Sequence, residues 1–187
     1  LQTKPDLNSE LEVLSTDQAP ESKKTFEAGE KVILKDILAS ALISSDNTAA
    51  LMLERASGLS PDDFVKKMNQ QARDLGLTKT SFNDPTGLLA DNQSTALEVV
   101  TLAQAAFSQP EIRSLAGLSS YDFTSQTGQQ HHLRSTNKIT KGFLQVTAAK
   151  TGYIEKAGHC LVAEVQQDGH RIITVSLGSA TENDRFQ

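Results

Sequence analysis

The chain predicts an α+β fold in which a cluster of helices packs on an antiparallel sheet. Three observations carry that expectation. Apolar residues between Lys35 and Phe107 recur at helical spacing and are bracketed by capping residues. From Tyr121 onward the character shifts toward strands. Among the strand-like runs, L161-V-A-E-V-Q166 and R171-I-I-T-V-S-L177 flank Asp168-Gly169, a pair that favours a tight hairpin turn. Helices first and strands afterwards argue against alternating βαβ units and a parallel sheet. At 187 residues the chain has the length of one domain.

Residues 1–25 are polar, carry Pro5 and Pro20, and show no sustained periodicity, so they read as an irregular surface segment. Gly29 punctuates the chain and V32-I-L34 is a short apolar run. Ile37, Leu38, Ala41 and Leu42 then form one face of a helix that ends near Ser44. Ser45, Asp46 and Asn47 supply side chains able to cap a second helix, which runs through Ala50, Leu51 and Leu53 to a stop at Gly58. Ser60 followed by Pro61, Asp62 and Asp63 starts a third, because proline suits the first helical position and the acids complement the helix dipole. Its apolar face is Phe64, Val65, Met68, Ala72 and Leu75, and Gly76 ends it. A loop over 78–93 holds N83-D-P-T-G87. The pattern T95-A-L-E98 reads as a capping box opening a helix through Phe107, and a shorter helix follows Pro110.

Composition excludes several classes. With 37% hydrophobic and 22% charged residues the chain has enough apolar surface for a core and is not of a disordered class. A net charge of -5, with no basic stripe interleaved with aromatics, argues against nucleic acid as a partner. Cys160 is the single cysteine, so no internal disulfide forms, and no Cys/His cluster has metal-ligand spacing; the thiol reads as a small buried hydrophobe in a strand. No apolar run reaches the roughly 18 residues of a membrane span, and no signal-peptide pattern opens the chain.

Two short motifs carry the chemistry. Ser45-Asp46-Asn47 lies at a helix start, and Lys150-Thr151-Gly152-Tyr153 lies where a strand-like run ends. Either alone is weak: the first would serve as a plain helix cap and the second as a plain strand end. Together their roles are complementary. A serine and an asparagine two apart at a helix start offer a hydroxyl to relay protons and an amide to hold a substrate amide. Lysine, threonine and glycine on an edge strand add a cation, a hydroxyl for a carboxylate and room for a substrate backbone to come close. A lysine beside a serine also favours proton transfer, because a cation lowers neighbouring pKa values.

In this order the two motifs resemble the S-x-N and K-T-G elements of the active-site serine penicillin-recognising enzymes, whose third element is S-x-x-K. The flanks narrow the resemblance. F26-E-A-G-E-K-V-I-L-K-D-I-L-A-S-A-L-I-S-S-D-N-T-A-A50, N83-D-P-T-G-L88 with S94-T-A96, K150-T-G-Y-I-E-K-A-G-H-C-L-V-A163 and V175-S-L-G178 resemble the D-alanyl-D-alanine carboxypeptidases, the low-molecular-mass penicillin-binding proteins. The likeness covers residues 26–185.

It implies a β-lactamase/penicillin-binding transpeptidase-like fold and a serine peptidase of the periplasm or extracytoplasmic envelope. Such an enzyme removes the terminal D-alanine from peptidoglycan stem peptides ending in D-Ala-D-Ala, is acylated by β-lactams, and needs no metal or cofactor. By the same resemblance Ser45 is the hydroxyl of the proton relay, Asn47 grips the acyl side of the substrate and Lys150 is the strand lysine. Thr151 binds the terminal carboxylate, Gly152 leaves room beside it, the Tyr153 N–H donates to the oxyanion, and Arg185 also faces the carboxylate. The family's S-x-x-K precedes S-x-N by more than the 44 residues found before Ser45. The nucleophile is therefore expected upstream of Leu1, and residues 1–187 are expected to be a partial domain lacking its N-terminal part. Ser135-Thr136-Asn137-Lys138 is the only S-x-x-K here, but it follows S-x-N and reads as a decoy.

Three other readings compete. A D-Ala-D-Ala endopeptidase shares these motifs. A non-catalytic peptidoglycan-binding relative would keep the cleft without the nucleophile. A class A β-lactamase needs a glutamate to activate water, yet Glu54, Glu98 and Glu111 fall in or at helices and the 77–93 loop holds only Asp84 and Asp91. Asp46, in place of the glycine commoner in these carboxypeptidases, is expected to point away from the chemistry. His131 and His132 are expected to be solvated in a polar loop.

Overall fold

A computed structural model describes residues 5–19, 22–139 and 145–186. Its helices are α1 (Leu34–Ala39), α2 (Asn47–Ala56), α3 (Pro61–Asp74), α4 (Ala96–Phe107) and α5 (Pro110–Ala116). Its strands are β1 (Glu10–Glu12), β2 (Lys31–Ile33), β3 (Ser120–Thr124), β4 (Gln130–Arg134), β5 (Gln145–Ile154), β6 (Gly158–Gln167) and β7 (His170–Ser179). They pair antiparallel as β1–β2, β3–β4 and β5–β6–β7, so β5 is an edge of the largest sheet. The α+β expectation holds, with two small sheets in addition to the late one. No helix among the described residues is long and apolar enough to cross a membrane.

Two apolar centres organise the helical part. Val13, Phe26, Val32, Leu34, Ile37, Ala49 and Met52 form one, under α1, α2 and the β1–β2 pair. Ala39, Ile43, Leu115 and Leu133 form the next, joining α1 to α5 and β4. A third centre, Ala103, Phe107, Ala116 and Ala148 with Val162 and Ile173 against it, seats α4 and α5 on the sheet. At the tip of the β6–β7 hairpin, Asp168 and Gly169 both take positive φ, 51° and 79°, as the twist of a tight hairpin requires.

In the segment 1–25, expected to be irregular, described residues are held by long-range contacts. Three residues of β1 pair with β2 in the register Glu10↔Ile33, Leu11↔Val32 and Glu12↔Lys31, and Val13 is buried. Asp17 is buried as well, held by Arg55 Nε at 2.9 Å and Nη2 at 2.8 Å. A three-residue strand is too short to show a period, and its partner lies twenty residues away, so no local signal announces it.

Other expectations change in detail. Thr95 caps α4 by accepting from the Glu98 N–H at 3.2 Å, but Glu98 does not return the bond. Its carboxylate accepts instead from the Lys79 N–H and from Thr80 Oγ1, at 2.9 and 2.6 Å, tying the loop before α4 to the helix. His131 is not solvated: its side chain is 10% exposed, hydrogen-bonds the buried Glu30 carboxylate, and stacks on Phe123 with centroids 4.6 Å apart. Its place in a strand with alternating burial turns it inward, whereas His132, the next residue, faces out beside Asp122. Cys160 is half-buried rather than buried, because it lies opposite Gly152, which has no side chain to cover it.

One buried charge has no sequence signal. Glu164 lies in the middle of β6 with its side chain wholly enclosed. Its carboxylate accepts from Thr147 Oγ1 at 2.6 Å, Arg113 Nε at 2.9 Å and Arg171 Nε at 3.1 Å, binding α5, β5 and β7 to one strand. Burial alone would raise its pKa, but the bonds from Thr147 and Arg171 and the charge of Arg113 outweigh that and hold it below the ordinary value.

Glu164→Ala is expected to destabilise the fold by about 3 kcal/mol in denaturant titration, at the lower end for a broken buried ion pair because both arginines can turn to water. The same depressed pKa fixes a sign. The stabilisation from Glu164 is present above the unfolded carboxylate pKa and is lost as pH falls through the lower folded value, so the mutant's deficit is to shrink under acid conditions.

Candidate active site

The site begins with an abrupt change of helix geometry. After α1 the chain widens into a π turn over Ser40–Ser44, in which Ser40 Oγ donates to the Asp36 carbonyl and Ser44 Oγ to the Ser40 carbonyl. Ser45 then takes left-handed backbone angles, φ 57° and ψ 47°, and Asp46 returns to extended geometry as the N-cap of α2. Two residues thus separate two helices, and the turn presents Ser45 at its apex. A left-handed conformation costs a residue with a Cβ about 1–2 kcal/mol, so something must hold it.

Two contacts do so. Asp46 Oδ1 accepts from the Thr48 N–H at 2.8 Å and from Ser22 Oγ at 2.7 Å. Lys23 Nζ donates to the Ser44 carbonyl at 2.8 Å. The cap is therefore Asp46 alone, which is buried and points away from the cleft, while Ser45 and Asn47 line it.

Opposite this turn runs the edge strand β5. Lys150 Nζ donates to Ser45 Oγ at 2.6 Å and to the Thr151 carbonyl at 2.7 Å. The two motifs, 105 residues apart in sequence, meet directly. Burial, then the charge of Lys23, then that of Arg185 push the Lys150 amine down to about 8. Thr151 is buried and shares a hydrogen bond of 2.6 Å with Thr136 Oγ1. Arg185 is buried too, donating through Nη1 to the Gly152 carbonyl and through Nη2 to Glu182, both at 3.2 Å. Tyr153 lies at the exposed lip of the cleft, stacked on its cross-strand partner His159 with centroids 4.2 Å apart. A Cβ on Gly152 would meet only Cys160 Cβ, at 3.8 Å, so the protein's own packing does not demand glycine there.

All seven residues singled out from sequence (Ser45, Asn47, Lys150, Thr151, Gly152, Tyr153 and Arg185) line one cleft of about 360 Å³. Sequence reasoning did not assign Lys23, Ser44, Thr136, Lys138, Glu182 or the loop residues Thr86, Gly87 and Leu88 to the site, and with Ser135 they complete the lining. The loop had a signal in N83-D-P-T-G87. Asp84 accepts from the Thr86 and Gly87 N–H groups at 2.7 Å and the Leu89 N–H at 2.9 Å, folding that segment toward the cleft. Burial would raise the Asp84 pKa, but bonds from Thr86, Leu89 and Gly87 keep it below the usual carboxylate value. Ser135 and Lys138 are not a catalytic pair: Ser135 Oγ accepts from the Asn137 N–H at 3.1 Å, and Lys138 Nζ turns to Glu182 Oε2 at 2.5 Å.

Among the described residues four cations, Lys23, Lys138, Lys150 and Arg185, face this cleft against one acid, Glu182, in a chain whose net charge is -5. The local field therefore favours an anionic ligand. No group of acidic, histidine or cysteine side chains suited to a metal ion occurs among the described residues.

Comparison with known proteins gives the family and the fold. The family model for D-alanyl-D-alanine carboxypeptidase matches residues 7–181. The D-alanyl-D-alanine carboxypeptidase DacF of Bacillus subtilis is 32% identical over 161 residues, covering 86% of this chain and 41% of that protein. A D-alanyl-D-alanine endopeptidase of Haemophilus influenzae is 36% identical over 151 residues, covering 80% of this chain and 50% of that protein. The chain thus spans half or less of the length of these relatives. A D-alanyl-D-alanine carboxypeptidase structure from Mycobacterium tuberculosis superposes with a TM-score of 0.86 at 26% identity, covering 96% of this chain and 69% of that one. A Streptomyces DD-transpeptidase superposes with a TM-score of 0.90 at 23% identity, covering 99% and 77%, and shows the same fold.

The depressed lysine pKa gives a direct check. Nuclear magnetic resonance of labelled lysine side chains is expected to show Lys150 half-titrated near pH 8. Lys23→Met and Arg185→Gln, each removing a neighbouring positive charge, are each expected to move that midpoint upward. A midpoint that stays in place in both variants would leave burial as the sole cause.

Proposed function

The chain belongs to the D-alanyl-D-alanine carboxypeptidase family, and from that premise we propose that its cleft binds peptidoglycan stem peptides ending in D-Ala-D-Ala and β-lactams. In this reading it supplies the proton-relay and carboxylate-binding half of a serine peptidase site. The observation that carries the proposal is the 2.6 Å contact between Lys150 Nζ and Ser45 Oγ in a cationic cleft. The attacking serine belongs to an S-x-x-K segment, a pattern that residues 1–44 do not contain.

We assign the roles from the family resemblance, supported by the contacts around Lys150. Lys150, as the donor to Ser45 Oγ, fixes that oxygen as an acceptor and leaves the serine proton to point elsewhere, toward a reacting nitrogen or oxygen. When Ser45 gives its proton to the leaving amine, Lys150 replaces it. An amine near pKa 8 does this at lower cost than an ordinary lysine, whose ammonium holds its proton more tightly. Asn47 offers an amide to the acyl side of the substrate. Thr151 and Arg185 receive its terminal carboxylate, and the Tyr153 N–H faces the developing oxyanion. The unfilled space beside Gly152 supports close approach of a substrate backbone to β5. An extracytoplasmic location, where the substrate is found, is part of the proposal.

The endopeptidase of Haemophilus influenzae at 36% identity supports a second reading, cleavage of D-Ala-D-Ala cross-links by the same groups. Turnover of a cross-linked muropeptide against that of a pentapeptide separates the two.

In the polypeptide that carries the S-x-x-K segment, Arg185→Ala is expected to lower kcat/KM on a peptide ending in D-Ala-D-Ala by roughly ten- to a hundred-fold, the loss of a hydrogen bond to a charged group. Acylation by a penicillin is to fall much less, because its strained ring depends less on that grip. Lys150→Ala is to damage both reactions. Equal losses for Arg185→Ala in the two assays, or no loss in either, would remove this arginine from the site.

A further inference from the structure

The cationic corner of the cleft already holds a carboxylate of the protein itself. Glu182 Oε1 accepts from Arg185 Nη2 at 3.2 Å, and its Oε2 accepts from Lys138 Nζ at 2.5 Å. The side chain of Arg185 is only 5% exposed, its Nη1 is committed to the Gly152 carbonyl, and its Nε is buried with no partner. A buried guanidinium with one donor unused and another held by a half-exposed acid is incompletely satisfied. The backbone around Glu182 is fixed, since the Thr181 N–H donates to Asp184 Oδ2 at 3.0 Å and the Asp184 N–H to Thr181 Oγ1 at 3.3 Å. The side chain alone can turn outward, and at 43% exposure it has water to turn into.

We infer that Glu182 is a displaceable internal carboxylate that sets how strongly the Arg185 corner selects ligands ending in a free carboxylate. The inference rests on the reading of the cleft as a D-Ala-D-Ala site. A carboxylate-ended ligand reaches Arg185 by displacing Glu182, so its gain is only the difference between two carboxylates. A neutral ligand end leaves Arg185 paired with Glu182 and forfeits little. Without Glu182, a ligand that failed to pair Arg185 would bury an uncompensated charge, and the penalty for a neutral end would rise. Lys138, which donates to the other Glu182 oxygen, is the cation with which Glu182 stays paired as it leaves Arg185. Glu182 therefore weakens discrimination between acid and neutral ligand ends and keeps the empty corner from standing as a bare positive charge.

The test is a ratio, which cancels general losses of affinity. N-acetyl-D-alanyl-D-alanine and its C-terminal amide are titrated calorimetrically at neutral pH into the 187-residue chain, as wild type, Glu182→Gln and Glu182→Ala. Wild type is expected to prefer the free acid. Both variants are expected to raise the acid-to-amide affinity ratio by up to about five-fold, the scale of a partly exposed ion pair. A ratio that is unchanged or lower in both variants, while wild type still prefers the acid, overturns the role of Glu182 and leaves the reading of the cleft intact. Wild type binding both ligands equally, or neither, overturns the reading of the cleft and the inference with it.

Discussion

The hydrogen bond from Lys150 Nζ to Ser45 Oγ joins the helical part of the molecule to its sheet, and most of the surrounding structure serves to make it possible. The lysine must come from a strand with a free edge, which β5 provides by lying outermost in β5–β6–β7. The serine must stand clear of its helix, which the π turn and the left-handed Ser45 achieve. The lysine must not be quenched by an acid. Its described surroundings are a hydroxyl, a carbonyl and the charges of Lys23 and Arg185, so its ammonium form is destabilised rather than locked in. An ion pair at this position would fix the proton; this environment leaves it transferable.

Within Ser45-Asp46-Asn47 the labour is divided by direction. Asp46 turns inward, caps α2 and binds Ser22, while its two neighbours face the cleft. Ser22 and Lys23 together brace the turn from outside, one through the Asp46 side chain and the other through the Ser44 carbonyl. A residue in an unfavourable backbone region persists only when its surroundings over-determine it, and these bonds do so on both sides of Ser45. Lys23 has a second effect, because the same ammonium that holds the turn depresses the lysine across the cleft. Mechanical and electrostatic control of the site thus meet in one side chain.

The legible parts of the sequence were those whose signals are local. The starts of α2, α3, α4 and α5 and the β6–β7 turn follow from caps, prolines and a Asp-Gly pair, each acting within a few residues. The two motifs of the site were legible because their spacing and flanks resemble a family, and the cleft gathers every residue they named. What was missed depends on distant partners. Leu11 is a strand residue only because Val32 lies beside it, and His131 is enclosed only because Glu30 waits under β4. Nothing in the strand run around Glu164 signals burial, yet it is wholly buried, with two arginines from other elements converging on it. Glu98 matched a capping box and bonded elsewhere, since the Lys79 N–H and the Thr80 hydroxyl are better donors than the exposed N-cap. In each case a tertiary contact overrides a local preference.

The fate of the carboxylates around the cleft limits its chemistry. Asp84 is saturated by the turn it organises, and Glu98 is tied to Lys79 and Thr80. Glu54 is buried in α2, where desolvation raises its pKa, and is not part of the cleft lining. Glu182, the one acid among the described residues that line the cleft, is bound by Lys138 and Arg185, which favour its charged form and occupy both its oxygens. A carboxylate acting as a general base needs a free oxygen aimed at water, and these four lack one in that position. Under the proposed function, proton transfer in this half of the site therefore falls to the Lys150–Ser45 pair, and a β-lactamase-like glutamate has no counterpart among the described residues. Within this half of the site the same pair is available to both formation and breakdown of an acyl intermediate, alongside the lysine of the S-x-x-K segment.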